Sequence, residues 1–345
     1  MKIGIPLEIK PYERRIALTP KEVADLTAQG FELLVQSGAG EKSGFSDLEY
    51  QQAGAQILAD LPQIYREAEL IVKVKEPQPE ELALLQAHHI LFCYLHLGGD
   101  LELAEALRAS GATSYGFECV ELGGATPLLA PMSRIAGRLA VQTGAWFLQA
   151  THGGRGSLLG GFAQARGRVT IIGAGVAGRS ALELAQAMGA EVVLMDINDE
   201  RLSQIKEVNP SIRVLHSGAR ALREVLPETD LLIGAAYQLG KSAPKVVREE
   251  DLRLLPKGAV AVDIAVDQGG CFEPTRPCTH HDPVYAWEEI FISAIPNLPA
   301  AVPRSASQAL GAAILPYLKQ LAAGEVSAEL QAAINIRAGE ILISL

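Results

Sequence analysis

The feature that most constrains the fold is a glycine-rich turn, Gly173-Ala-Gly175-Val-Ala-Gly178, which follows the apolar residues 169–172 and precedes an amphipathic stretch. In a strand–turn–helix unit, the first glycine permits a tight turn, the second lets the backbone approach a pyrophosphate, and the third allows close packing of helix on strand. An isolated Gly-x-Gly-x-x-Gly is a weak signal, but the flanking strand and helix make this one specific. The turn therefore predicts a Rossmann unit that binds a dinucleotide.

An acidic residue at the end of the next predicted strand narrows the choice of dinucleotide. Asp196 ends the predicted strand 191–195, 18 residues after Gly178. Its carboxylate can accept hydrogen bonds from the adenosine ribose hydroxyls, and it would repel a 2′-phosphate. The first N–H groups of the helix, at Val176 and Ala177, would face the pyrophosphate. These residues predict NAD as the cofactor and hydride transfer as the class of chemistry.

Composition bounds the size of the protein and its partners. The chain has 345 residues, of which 48% are hydrophobic, enough for two compact domains. Its formal net charge of −10 argues against nucleic acid and anionic membranes as partners. The first residues lack the apolar segment of a signal peptide, and no apolar run approaches the ~20 residues of a membrane span. We therefore expect a cytoplasmic protein whose four cysteines, none in CxxC spacing, are reduced structural thiols.

Strand and helix signals alternate through the first third of the chain, without a second glycine finger. Thr19 with Glu22, and Ser46 with Glu49, form capping boxes that predict helices from residues 20 and 47, the second running to about residue 58. The predicted strands are residues 2–6, 31–35, 70–74, 90–95 and 113–118. Such alternation predicts an open parallel sheet.

The whole pattern predicts two Rossmann-like, doubly wound α/β domains with parallel sheets, separated by an active-site cleft. We assign residues 129–298 to an NAD-binding domain. Residues 1–128 form a substrate and catalytic domain, and residues 299–345 return to it with a helix expected at about 305–322. The apolar helix expected at 131–149 would join the two domains.

Several motifs, in register from the first residue to about residue 340, resemble the alanine dehydrogenase family. These motifs are Lys2-Ile-Gly-Ile-Pro-Leu-Glu-Ile-Lys, Glu13-Arg-Arg15-Ile-Ala-Leu-Thr-Pro, Lys73-Val-Lys75-Glu-Pro, Tyr94-Leu-His96-Leu, Leu128-Leu-Ala-Pro-Met132-Ser133, Val262-Asp-Ile-Ala-Val-Asp267-Gln-Gly-Gly270-Cys-Phe-Glu and Asn297-Leu-Pro-Ala-Ala-Val-Pro-Arg. The NAD-binding subunit of proton-pumping transhydrogenase shares the start of this pattern and is less similar across residues 267–273.

The resemblance implies a reaction, the reversible oxidative deamination of L-alanine to pyruvate and ammonia with NAD. Arg15 offers a planar pair of donors for the substrate carboxylate, and Lys75 would hold that carboxylate or polarise the carbonyl. An imidazole titrates near neutral pH, which suits His96 for the proton transfers of imine hydration and carbinolamine breakdown. Asp267 would accept a proton or stabilise the developing iminium by its charge. Either His96 or Asp267 can be the principal base.

Further cofactor contacts are implied by the same resemblance. They are Ser133, Asp196, Arg201, Ser217, Ile264, Asp267, Arg276, Ile295 and Leu298. Arg201 and Ser217 also fit the pattern of ordinary solvated residues. No metal site is expected, because the adjacent His280 and His281 are poorly placed to ligate one ion and have no obvious third ligand.

Three departures from the family pattern fall near the expected nicotinamide position or the domain junction. The usual Asn-Met-Pro-Gly reads Asn297-Leu298-Pro299-Ala300, in which leucine is stiffer than methionine and alanine would restrict a turn that needs positive φ. The usual Asn-Ala-Thr of the late helix reads Gly311-Ala-Ala313, and Tyr237 stands where aliphatic residues are usual. These changes bear on substrate preference more than on the reaction class.

Two other functions are compatible with these motifs. A related NAD(P)H-dependent imine reductase or opine-type synthase would condense pyruvate with an amine other than ammonia. An NAD-binding, transhydrogenase-like subunit would act within a larger assembly, but a pure binding module would not need the four polar residues assigned to the reaction. The resemblance also implies a homo-hexamer, and the helix expected at 131–149 is one candidate for the subunit contact.

Overall fold

The computed structural model describes residues 1–162, 165–236 and 242–343, and the departure at Tyr237 lies outside these residues. The chain divides into two compact units. Unit 1 comprises Met1–Met132 and Ala300–Leu345, and unit 2 comprises Ser133–Pro299. The assignment of one unit to substrate and the other to NAD stays a prediction.

Strands and helices follow one another in both units. The strands are β1 Lys2–Ile5, β2 Glu32–Gln36, β3 Gln56–Leu58, β4 Leu70–Val72, β5 Ile90–Cys93, β6 Thr113–Gly116, β7 Arg168–Ile172, β8 Glu191–Asp196, β9 Arg213–His216, β10 Leu231–Gly234, β11 Val260–Asp263, β12 Tyr285–Trp287, β13 Ile290–Ser293, β14 Ile334–Arg337 and β15 Glu340–Ile341. The α-helices are α1 Pro20–Thr27, α2 Asp47–Gln52, α3 Leu61–Glu67, α4 Pro79–Leu82, α5 Leu101–Ser110, α6 Ala130–Phe147, α7 Val176–Ala187, α8 Asp199–Val208, α9 Ala219–Val225, α10 Glu249–Leu252, α11 Pro303–Ala323 and α12 Ala328–Ala332.

The described part of unit 1 is built on an eight-stranded sheet with the order β15-β14-β6-β5-β4-β1-β2-β3. The strands from β6 to β3 are parallel, whereas β14 pairs antiparallel with β6, and β15 pairs antiparallel with β14. Because β1, β4 and β5 are parallel neighbours, their carboxyl ends meet at the same end of the sheet. That end is where open α/β sheets bind their ligands.

In unit 2, the described residues form a seven-stranded sheet with the order β12-β13-β11-β10-β7-β8-β9. All pairs are parallel except β12 with β13. The order of strands along the chain reverses between the neighbours β7 and β10, and doubly wound sheets bind ligands beside such a reversal. Helix α7 buries Ala181 and Leu182 in one apolar cluster with Ile171 of β7, which fixes the glycine finger between them.

The predicted fold class, two doubly wound α/β units with mostly parallel sheets, is confirmed with two corrections. The helix expected over residues 47–58 ends at Gln52, and residues 56–58 form β3. Gly54 stops the helix, because its φ of 92° is left-handed and turns the chain into the edge strand. The antiparallel edge strands were not expected, because strand–helix alternation carries no signal for them.

Both predicted capping boxes are present at the starts of α1 and α2. Glu22 accepts the Thr19 N–H at 3.0 Å, and Glu49 accepts the Ser46 N–H at 2.7 Å. Packing against α1 explains why position 311 is glycine, because a Cβ atom there would lie 2.8 Å from Glu22 Oε2. A larger residue would therefore push against the cap of α1.

A buried ion cluster joins three elements of unit 1 near the carboxyl end of β4. The Lys73 ammonium lies 3.2 Å from Glu8 Oε2 and 3.0 Å from Glu81 Oε2, and the three side chains are at most 3% exposed. Glu8 follows β1, Lys73 follows β4, and Glu81 lies in α4. Glu8 Oε1 also accepts the Val74 N–H. The cluster therefore fixes the backbone immediately before Lys75.

Charge pairing and burial act in opposite directions within this cluster. Burial alone would lower the pKa of Lys73, but the Glu8 and Glu81 carboxylates outweigh it and hold that pKa above its usual value. Burial raises the pKa of Glu8, and the Lys73 charge offsets only part of this rise. Two carboxylates share one ammonium, so removing the ammonium would leave uncompensated charge in the interior.

We predict that Lys73→Met lowers the free energy of unfolding by about 3–5 kcal/mol, because both carboxylates lose their partner. The loss should be larger at about pH 8 than at about pH 5.5. Without Lys73, the buried Glu8 carboxyl keeps its proton in the folded state at pH values where the unfolded chain has lost it, so folding weakens as pH rises.

Urea unfolding of wild type and variant at the two pH values measures this effect. Lys21→Met, at a lysine whose side chain is 75% exposed, is the matched control and should change stability little. A loss below about 1 kcal/mol at both pH values would contradict the prediction.

Candidate active site

The glycine finger lies between β7 and α7 in unit 2. Gly173 has a φ of 104°, and a Cβ atom on it would lie 2.5 Å from the Ala235 carbonyl oxygen. A Cβ atom on Gly178 would lie 1.7 Å from the Gly173 carbonyl oxygen. Glycine is required at both positions, because any side chain would collide with backbone atoms.

Gly175, at the start of α7, faces open space. Apart from its chain neighbours, no heavy atom of the described chain lies within 4 Å of the place where its Cβ atom would be. It is the N-cap of α7, so the N–H groups of Val176 and Ala177 open the helix. Room for close approach and the partial positive charge of a helix amino terminus are what a pyrophosphate requires.

Asp196 ties the end of β8 to the glycine finger. Its Oδ2 atom accepts the Ala174 N–H at 2.6 Å, and its Oδ1 atom accepts the Asn198 N–H at 2.9 Å. Arg201 Nη1 lies 3.3 Å from Oδ2, and the Ser217 N–H donates to the Asp196 carbonyl at 2.8 Å. The fold thus brings Asp196, Arg201 and Ser217 together. A carboxylate has about four lone-pair sites, so a ribose hydroxyl could take the place of the long Arg201 contacts at 3.3 and 3.5 Å.

A buried carboxylate that was not predicted organises the loop after β11. Asp263 is 1% exposed. Its oxygens accept the Ala265 N–H at 3.1 Å, the Phe272 N–H at 3.1 Å and the Thr275 hydroxyl at 2.6 Å. These bonds hold the 3-10 helix Ile264–Gln268, which contains two predicted site residues. The sequence signal for Asp263 is an acidic residue at the end of an otherwise apolar strand.

Asp267 links this loop to the turn at Asn297. Its Oδ2 atom accepts the Asn297 N–H at 3.2 Å, and Asn297 has a left-handed φ of 53°. Ile295 and Leu298, which are predicted to contact the cofactor, are both buried. The left-handed residue of this turn is Asn297 and not Ala300, so the departure at Ala300 causes no backbone strain.

The remaining predicted cofactor contacts of unit 2 differ in exposure. Ser133 in α6 and Ile264 are half-buried, whereas Arg276 is exposed. The Arg276 guanidinium lies 4.1 Å from the centroid of the Tyr285 ring, and the backbone N–H of Arg276 donates to Tyr285 Oη at 3.1 Å. Stacking holds the guanidinium plane while its N–H donors remain at the surface.

In unit 1, Arg15 is held by a carboxylate of its own loop. Its Nε and Nη2 atoms donate to the two Glu13 carboxylate oxygens at 2.7 and 2.6 Å, and its Nη1 atom lies 3.1 Å from the Met132 sulfur. Burial would lower the pKa of Arg15, but Glu13 outweighs burial and raises it. The bidentate pair fixes the plane of the guanidinium, as recognition of a planar carboxylate requires. Glu13 was not predicted, although it lies two residues from Arg15.

Lys75 and His96 follow the neighbouring strands β4 and β5. Lys75 is half-buried, and 47% of the His96 side chain is exposed. The Tyr94 N–H donates to the Val74 carbonyl at 3.0 Å, which continues the pairing of the two chain segments beyond the strands. The Tyr94 ring lies parallel to the His96 imidazole at a centroid distance of 5.7 Å. A cation and an imidazole therefore leave the same end of the sheet.

The described residues contain neither a cluster of metal ligands nor a helix suited to span a membrane. Within residues 1–162, 165–236 and 242–343, no three His, Cys, Asp or Glu side chains are grouped so that they can hold a metal ion. Nor is any helix in these ranges long and apolar enough to cross a membrane.

The cysteines form no disulfide. Burial raises the pKa of the Cys93 and Cys271 thiols, which makes them poor nucleophiles.

These features define a class, an α/β protein that has a glycine finger of the dinucleotide-binding type in unit 2 and that carries Arg15, Lys75 and His96 in unit 1. The family model described as alanine dehydrogenase/PNT, N-terminal domain, matches residues 4–136, and the model for the C-terminal domain matches residues 140–344. The chain belongs to the alanine dehydrogenase/PNT family.

Individual relatives agree with this assignment. An alanine dehydrogenase of Halomonas elongata is 44% identical over 325 residues, covering 93% of this chain and 88% of the relative. An alanine dehydrogenase of Bacillus subtilis is also 44% identical over 325 residues, covering 93% of this chain and 86% of the relative.

Solved structures show the same relationship. An L-alanine dehydrogenase structure superposes with a TM-score of 0.95 at 41% identity, covering 99% of this chain and 97% of that chain. A transhydrogenase from Sinorhizobium meliloti has a TM-score of 0.87 at 24% identity and covers 99% of both chains, so that likeness shows the fold alone.

Proposed function

We propose that this protein is an NAD-dependent alanine dehydrogenase, which reversibly oxidises L-alanine to pyruvate and ammonia. The observation that carries the proposal is the position of Arg15, Lys75 and His96 in unit 1 of a chain that is 44% identical to alanine dehydrogenases. Two cations match a substrate carboxylate, and an imidazole matches the proton transfers of deamination. The alternatives of an opine-type synthase and a transhydrogenase-like subunit are not favoured by these relatives.

NAD is the cofactor that the residues of unit 2 fit, and when bound it supplies the acceptor for the hydride. The open space at Gly175 suits the pyrophosphate, and the Asp196 carboxylate suits the ribose hydroxyls. The other proposed contacts are Ser133, Gly173, Val176, Ala177, Gly178, Arg201, Ser217, Ile264, Asp267, Arg276, Ile295 and Leu298.

Arg15 and Lys75 bind the carboxylate of alanine and thereby fix the position of Cα. The alanine nitrogen must pass its extra proton to the principal base, His96 or Asp267, and from there to solvent before hydride leaves Cα, because its lone pair forms the C=N bond of the iminium. The Asp267 carboxylate stabilises the positive charge on that iminium.

His96 serves the hydrolytic half of the reaction. It accepts a proton from the water that attacks the iminium carbon and returns it to nitrogen. As the carbinolamine breaks, its hydroxyl proton passes through His96 to the leaving ammonia, which departs as ammonium. One water is consumed, and the products are pyruvate, ammonium, the reduced cofactor and one proton.

We further propose a cytoplasmic homo-oligomer, a hexamer by family resemblance. Free and mostly buried cysteines suit a reducing compartment. Helix α6, on which the Trp146 side chain is exposed, is the candidate for the subunit contact.

The purified protein should form NADH from L-alanine at alkaline pH, and it should consume NADH with pyruvate and ammonia. Arg15→Lys should lower kcat/KM for alanine about 100-fold. The ammonium of lysine cannot reproduce the bidentate pair with Glu13, which fixes the plane of the guanidinium donors. The exposed neighbour Arg14, changed to Lys, is the matched control and should keep near-wild-type kinetics.

Steady-state NADH absorbance with a panel of amino acids and keto acids measures both effects. Absence of turnover in both directions would contradict the proposed reaction. Full activity of Arg15→Lys would contradict only the role of Arg15.

NAD should be preferred over NADP by at least about 100-fold in kcat/KM, because the Asp196 carboxylate repels a 2′-phosphate. Asp196→Ser should raise KM for NAD about tenfold and narrow this preference, with a smaller effect on kcat. Asp199→Ser, at an exposed carboxylate at the start of α8, is the control. Equal use of both cofactors by the wild type would contradict the role of Asp196.

A further inference from the structure

His96 has a backbone conformation that residues other than glycine seldom adopt. Its φ of 51° and ψ of 39° lie in the left-handed region. That region costs a residue with a side chain about 1–2 kcal/mol relative to the right-handed one. Because almost half of the side chain is exposed, packing alone does not hold it there. Another interaction must stabilise the turn that directs the imidazole.

The carboxylate of Glu118 supplies that interaction. Its Oε1 atom accepts the His96 N–H at 2.6 Å and the Leu95 N–H at 3.2 Å, and its Oε2 atom lies 3.3 Å from the same Leu95 nitrogen. Glu118 lies in the 3-10 helix Phe117–Cys119, directly after β6, and β6 is the neighbour of β5. The side chain is only 11% exposed. It therefore bridges the ends of two adjacent strands through backbone N–H groups.

The imidazole itself contacts a different residue. It lies against the parallel ring of Tyr94, which is buried and donates its hydroxyl to the Leu128 carbonyl at 2.6 Å. The His96 Nδ1 atom is 3.9 Å from Glu118 Oε1, too far for a hydrogen bond. Glu118 thus acts on His96 through the backbone and not through the ring.

We propose that Glu118 is the positioning residue for His96, an inference that rests on the proposed alanine dehydrogenase activity. The carboxylate oxygens fix the left-handed turn, and the turn fixes where the imidazole gives and takes protons. A proton-transfer group misplaced by about 1 Å can lose on the order of 10²-fold in rate. It follows that the acceptor oxygens of Glu118 matter more for catalysis than its negative charge, which lies 3.9 Å from His96 Nδ1.

Two substitutions separate the acceptor oxygens of Glu118 from its negative charge. Glu118→Gln keeps a carbonyl oxygen that accepts the His96 N–H, so kcat with alanine should stay within about threefold of wild type. Glu118→Ala removes the acceptor, so kcat should fall about 10- to 100-fold while KM for NAD changes less than about twofold. Glu121→Ala, at an exposed carboxylate three residues further on, is the matched control. A Gln variant as impaired as the Ala variant would overturn the backbone role.

A double-mutant cycle with His96→Ala tests whether Glu118 acts through His96. If it does, Glu118→Ala lowers kcat in the wild type but changes the residual rate of His96→Ala by less than about twofold. Equal losses in the two backgrounds would overturn the proposal, because they would show a structural effect that does not pass through His96.

Hydrogen exchange gives a readout that needs no turnover. Amide exchange in residues 93–99 should accelerate about tenfold or more in Glu118→Ala and stay near wild type in Glu118→Gln. Unchanged exchange in Glu118→Ala would reject the proposal.

If the wild type failed to turn over alanine, the proposed function would be wrong, and amide exchange would still show whether Glu118 holds the turn at His96. Should Glu118→Ala fail to fold, Glu118→Asp, which withdraws the carboxylate by one methylene, replaces it in both experiments.

Discussion

The interaction on which the rest of unit 1 depends is the pairing of buried cations with buried carboxylates. Arg15 is held by both oxygens of Glu13, and Lys73 lies between Glu8 and Glu81. Charges persist in a protein interior only when they are paired in this way. The pairing fixes the guanidinium plane and the chain segment that leads to the second proposed substrate cation. The pairing would therefore preorganise the proposed site before a substrate binds.

Carboxylates also accept backbone hydrogen bonds at the carboxyl ends of the strands. There the backbone leaves the sheet and loses the hydrogen-bond partners of the neighbouring strands. Asp196, Asp263 and Glu118 each accept backbone N–H groups from the segments around them. Unpaired N–H groups in such partly buried loops would be costly, so these side chains take the place of the missing strand. Both units use this arrangement beside the residues proposed to bind cofactor or to transfer protons.

The parts that could be predicted from the sequence are those with a local signal. The glycine finger, the parallel strands and the capping boxes each rest on spacings of a few residues. The helix expected over residues 47–58 was wrong, because Gly54 ends it and the short strand after it has no alternating pattern of its own. Glu118 lies 22 residues from His96 and meets it only because β5 and β6 are paired, so no local pattern reveals it. Glu13 and Asp263 were missed although their partners lie close along the chain, because an acidic residue beside an arginine or at the end of a strand does not by itself specify a hydrogen-bonded pair.

The central claim is that unit 1 binds the substrate carboxylate through Arg15 and Lys75, and a crystal structure with pyruvate tests it most directly. We predict the pyruvate carboxylate at about 2.7–3.2 Å from the Arg15 guanidinium and the Lys75 ammonium, with the keto carbon facing His96. Arg15 Nη1, which now lies 3.1 Å from the Met132 sulfur, should then donate to the substrate instead. A bound pyruvate whose carboxylate lies more than about 5 Å from both cations, beyond the reach of an ion pair, would contradict the claim.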